Sequence, residues 1–66
     1  MTNKTAKPLR GEALKHFDEA SALCDELKKT MDAMKLKPAI DSTEIDECIK
    51  LTDRLLRELD HTWEHL

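Results

Sequence analysis

Two histidines four residues apart lie on one face of a helix, where both imidazoles can hold a single divalent metal ion. A glutamate next to them can act on a metal-bound water. The segment His61-Thr62-Trp63-Glu64-His65 offers that set of residues, beginning six residues from the end of a 66-residue chain. The question is whether the rest of the sequence can build a site around it.

The spacing H-x-x-E-H resembles the signature of a zinc peptidase family. That resemblance implies His61 and His65 as metal ligands and Glu64 as the residue that works on water. Such an enzyme also needs a further protein ligand, a substrate cleft and a shell that holds the ligands in place. His16 is the only other histidine. An antiparallel pairing puts it near the level of His61, but at a flanking position of its helix. The segment therefore reads as a solvated pair of histidines beside a packed Trp63, with no metal site. There is no Gly-rich phosphate loop and no Ser-His-Asp arrangement that can be placed. The many carboxylates fall on solvated helix faces. The expectation is a non-enzymatic protein with no catalytic residue and no cofactor.

The elements that must position these residues are helical. Leu, Glu, Lys, Ala and Asp dominate, with one Gly, no Tyr, one Phe and one Trp, a helix-forming composition. In the first half Ala13, Phe17, Ala20, Cys24, Leu27, Met31 and Met34 recur at spacings of 4 and 3, an unbroken heptad seam. Lys35 and Lys37 suit a helix C-terminus, and Pro38 forbids continuation. Asp41 and Glu44 then form a D-x-x-E capping box, with Ile40 and Ile45 placed for a hydrophobic staple. In the second half Ile45, Cys48, Thr52, Leu55, Leu59, Thr62 and Leu66 make a second seam, flanked by Ile49, Leu56 and Trp63 on one side and Leu51 on the other. Asp46/Lys50, Asp53/Arg57 and Arg54/Glu58 are placed for i,i+4 pairs on the polar face.

The predicted fold is all-α: an antiparallel two-helix hairpin, with a flexible arm over residues 1–7 and the hairpin over 8–66. Its helices run from about 9 to 36 and from 42 to 66, joined by a turn at 37–40. With the turn near Pro38, Phe17 faces Leu59, Leu27 faces Ile49, Met31 faces Ile45 and Trp63 faces Ala13. Cys24 and Cys48 are then offset too far for a disulfide and read as two buried free thiols. The apolar arc of the second helix is wider than one neighbour can cover, so two hairpins are expected to pair into a homodimeric four-helix bundle. The core and dimer seam is assigned to Phe17, Cys24, Leu27, Met31, Ile45, Ile49, Leu55 and Leu59.

Charge shapes the functional expectation. The net charge is −3, but residues 1–40 carry +2 and residues 41–66 carry −5. An acidic second half argues against a broad nucleic-acid surface and suits a basic protein partner. Glu47, Asp53, Glu58 and Trp63 are the candidate partner-binding residues. There is no apolar h-region and no membrane-length apolar run, so the expected setting is cytoplasmic with reduced thiols.

In size, polar arm and two-helix plan the chain resembles small phage-encoded inhibitors of host regulators, of the quorum-sensing anti-activator type. That format implies binding and blocking a host transcription factor or motor ATPase. The hairpin-dimer plan is also similar to that of the small plasmid copy-number repressor, which would imply RNA binding. Against this, Lys15, Lys28, Lys29 and Lys35 are interleaved with acidic residues and form no basic stripe. An antitoxin or a small assembly chaperone fits the same residues.

Overall fold

The computed structural model describes residues 6–66. Two helices, α1 (Glu12–Lys35) and α2 (Ser42–His65), pack against each other as an antiparallel hairpin. Most of the expected N-terminal arm, residues 1–5, lies outside the described residues. Residues 6–10 are exposed and without regular structure. No described helix is long and apolar enough to cross a membrane.

Each helix boundary has a local cause. Gly11 precedes α1 at φ 64°, a left-handed backbone that glycine adopts without a side-chain penalty. This places the start of α1 at Glu12, three residues later than expected. At the other end the N–H groups of Leu36 and Lys37 donate to the carbonyls of Ala33 and Met34, and Pro38 follows. The expected capping box is complete. The Glu44 N–H donates to Asp41 Oδ1 at 3.2 Å, and the Asp41 N–H donates to Glu44 Oε2 at 3.3 Å. Lys37 reaches over the turn to the other oxygen of Glu44, so one carboxylate serves both the helix start and the connection.

The seam between the helices is rotated from the one that apolar spacing suggests. The residues of α1 withdrawn from solvent are Ala13, His16, Ala20, Leu23, Leu27, Thr30 and Met34, again at alternating spacings of 3 and 4. Opposite them lie Cys48, Leu51, Leu55, Glu58 and Thr62 of α2. Ala13, Ala20 and Leu23 are the buried apolar residues, and Thr62 is the buried polar one. Small side chains at Ala13, Ala20 and Thr62 suit close approach of the two backbones. The seam threonines satisfy their own hydroxyls: Thr30, Thr52 and Thr62 each donate to the carbonyl four residues earlier at 2.9 Å, a bond available anywhere in a helix.

Several expected contacts are therefore corrected. Phe17, Met31, Ile45, Ile49 and Leu59 are not buried within the hairpin but 40–52 % exposed, and Cys24 is exposed too. Only Cys48 of the two free thiols is half-buried, with its sulfur 3.5 Å from that of Met34. Trp63 is 53 % exposed and therefore not the packed residue expected. The reason is rotational. His16 and Glu58 enter the seam as a hydrogen-bonded pair, Thr30 and Thr62 are tolerated there because their hydroxyls are satisfied within their own helix, and the neighbouring apolar positions lie outward. The axial register is close to expectation, since Phe17 and Leu59 line one groove.

The seam assignment is tested by substitution. Leu23→Ala should destabilise the fold by about 2–4 kcal/mol, whereas Asp41→Ala, which removes a cap, should cost about 1 kcal/mol. Urea unfolding followed by circular dichroism measures both. A Leu23→Ala variant as stable as the parent would place the seam elsewhere.

Candidate functional site

The segment from His61 to His65 is divided between two sides of α2. At 100° per residue, Trp63 points about 160° away from both His61 and His65. The histidines turn toward α1 along one border of the seam, and Trp63 turns to the opposite border.

On the histidine side, His16 of α1 meets both residues. Its ring lies 5.0 Å from that of His61 and 5.5 Å from that of His65, nearly parallel to the latter. His16 is thus a seam residue, not a flanking one. Its Nδ1 is 2.7 Å from Glu58 Oε1, across the two helices, with both side chains only 25 % exposed. A carboxylate without a proton can only accept, so Nδ1–H donates and Nε2 is left free in the neutral ring. Nε2 is in turn 3.8 Å from Oε1 of Glu12, one turn earlier on α1. One donor atom each from Glu12, His16 and His65 lie within 4.8 Å of one another.

Glu58 is consequently not the exposed acidic contact that the sequence suggests. Arg54 does not hold it; its carboxylate is committed to His16. Glu64, the residue that the peptidase-like spacing would place beside the metal, is exposed and approaches His61 at 3.4 Å. The two histidines are not an isolated solvated pair, because His16 joins them.

On the other side a continuous apolar surface is left open. In α2, Ile45, Ile49, Thr52, Leu56, Leu59 and Trp63 follow one another at spacings of 4, 3, 4, 3 and 4. All but half-buried Thr52 are exposed. In α1, Phe17, Cys24 and Met31 stand on the same side at spacings of 7. Phe17, Ala20, Ser21, Cys24, Leu55 and Leu59 line a groove of about 220 Å³ there, shared by both helices. The opposite side is polar, and its groove is lined by Glu26, Thr30, Glu47, Lys50, Leu51 and Arg54. Glu47 and Asp53 are exposed as expected, but Glu47 shares its groove with two cations, so the local field is mixed.

The chain matches no protein-family model, no curated protein and no solved structure.

The His16–Glu58 bond has a spectroscopic signature. Long-range ¹H–¹⁵N spectra of the neutral ring should show His16 protonated at Nδ1, while Glu58→Gln should mix the two tautomers. A dominant Nε2–H form in the parent would contradict the geometry.

Proposed function

We propose that this chain is a non-enzymatic protein-interaction module that pairs with a second copy of itself through the open apolar surface, and that the resulting four-helix bundle binds and blocks or sequesters another protein. One observation carries the reading: α2 bears two adjacent heptad stripes, and the hairpin covers only one. The stripe from Cys48 to Thr62 meets α1, whereas the stripe from Ile45 to Trp63, apart from half-buried Thr52, stays exposed among the described residues and touches α1 only at its edge, where Leu59 borders Phe17. A helix with two heptad faces is one with two helical neighbours.

Surface area supports this. The chain exposes 5334 Å², whereas a compact monomer of 7.6 kDa exposes about 4300 Å². The excess is that of an elongated two-helix hairpin with an exposed irregular segment over residues 6–10, a shape with surface to spare for a second copy. The same stripe on both copies gives a self-complementary two-fold contact. Phe17, Leu59 and Trp63 supply the large apolar groups that dominate such interfaces.

With that surface occupied, the remaining faces of the bundle are helical, charged and available. Glu47 and Asp53 lie on them, and the −5 balance of residues 41–66 favours a basic partner such as a transcription factor. The size and plan resemble those of phage-encoded anti-activators, which act by occupying a regulator's surface.

Sedimentation equilibrium at tens of micromolar should give twice the 7.6 kDa chain mass. Ile49→Asp or Leu56→Asp should reduce it to the chain mass, because a charge without a partner would be buried in the contact. A monomeric parent protein, or an Ile49→Asp variant that stays dimeric, would remove this reading. If the acidic face recruits the partner, Glu47→Lys and Asp53→Lys should slow association more than they speed dissociation, as surface plasmon resonance on the captured partner would show.

A further inference from the structure

We propose that Glu12, His16 and His65 form a binding site for one divalent d-block cation of the zinc class, which ties the two free ends of the hairpin together. Three residues from two helices converge on one point. The donor atoms of Glu12, His16 and His65 already lie within 4.8 Å of one another, and His16 Nε2 is 3.8 Å from Glu12 Oε1. Tetrahedral zinc with ligand bonds of about 2.0–2.2 Å holds its donors roughly 3.3 Å apart. Glu12 and His65 are both exposed, so their side chains can close the difference by rotation, without moving the backbone.

His16 is the fixed member of the set. It is half-buried, and the Glu58 carboxylate holds its Nδ1–H at 2.7 Å. That bond selects the tautomer whose Nε2 carries the free lone pair, 3.8 Å from Glu12 Oε1, with the exposed His65 ring stacked alongside and able to turn a nitrogen toward the same point. A carboxylate on the far nitrogen of a ligating imidazole is the usual support of a histidine metal ligand, because it orients the ring and raises its basicity. Glu58 is thus a positioning residue and not a ligand. Two histidines and one carboxylate leave a fourth position for water. His61, whose ring is 5.0 Å from that of His16, stands beside the site and is not needed for it.

The location gives the ion a use. The hairpin is closed at one end by the Asp41–Glu44 box and the Lys37–Glu44 pair. At the other end, where α1 begins and α2 finishes, the seam is made of Ala13 and Thr62, which bury little area. A metal bridging α1 to α2 there adds folding free energy, as it does in other small domains with thin cores. The site lies across the seam from the apolar surface, so metal binding does not depend on dimer formation.

The test uses untagged, chelator-treated full-length protein titrated with Co(II), with Zn(II) as competitor. The expected result is one ion per chain, a tetrahedral cobalt spectrum displaced by zinc, and a dissociation constant of about 10 μM or below, with a rise of roughly 5 °C or more in Tm at saturating zinc. His16→Ala and His65→Ala should each weaken binding by about tenfold or more, and Glu58→Gln by about 10–100-fold. His61→Ala should change it by less than about threefold, since that residue is outside the ligand set. Far-UV circular dichroism checks that each variant keeps its helices. No saturable cobalt binding below about 1 mM would overturn the proposal. So would binding that survives His16→Ala and fails in His61→Ala, because the ion would then sit on the His61/His65 pair of one helix alone.

Discussion

Two helices share only one interface, and that constraint governs the rest of this molecule. A hairpin can bury one stripe of each helix and no more. Here the stripe contains Ala13, Ala20, Leu23 and Leu27 of α1 against Cys48, Leu51, Leu55 and Thr62 of α2, with Ala13, Ala20, Leu23 and Thr62 buried. A seam this thin gives limited hydrophobic stabilisation, which grows with the apolar area removed from water. The local devices at the turn therefore carry unusual weight. Asp41, Glu44 and Lys37 fix where α2 starts and how it leaves the connection. The unpaired stripe of α2 and the histidine cluster at the open end are two further places where stability can be added, one by another chain and one by an ion.

The turn and the helix ends were largely legible in the sequence, because they depend on residues close together in the chain. Pro38, Asp41 and Glu44 act within a few positions of one another. Antiparallel pairing and its axial register followed from the short connection. The rotation of each helix was not legible. Apolar stripes at Ile45/Ile49/Leu56/Leu59/Trp63 and at Cys48/Leu51/Leu55 have the same period and overlap in sequence, so periodicity alone cannot say which one faces α1. Polar residues decide the matter. His16 and Glu58 bond to each other across the seam, and Thr30 and Thr62 are tolerated in it because their own helix satisfies their hydroxyls. Judged singly, each looks like a surface residue. The one available signal was the level matching of His16 and Glu58, which an antiparallel register brings almost opposite each other.

The same rotation explains the division of the histidine segment. Turning α2 so that Thr62 is buried sends Trp63 to the apolar border and the two histidines to the other. Trp63 becomes part of the exposed apolar surface, while His61 and His65 gain His16 as a neighbour. The peptidase-like spacing is thus taken apart by the fold: its glutamate is exposed beside His61, and the partner that His65 acquires comes from α1. The proposed self-association face and the proposed cation site lie at opposite borders of one thin seam and share no residue.

The central claim, that the Ile45–Trp63 stripe is covered by a second copy, is most directly tested by the emission of Trp63, the only tryptophan in the chain. In the lone hairpin its ring is about half exposed, so the emission maximum reports whether anything else covers it. Diluting the protein from tens of micromolar to nanomolar should shift the maximum from blue to red in a single concentration-dependent step, at a midpoint that Ile49→Asp raises strongly. A maximum that stays red and constant over the whole range would contradict the account.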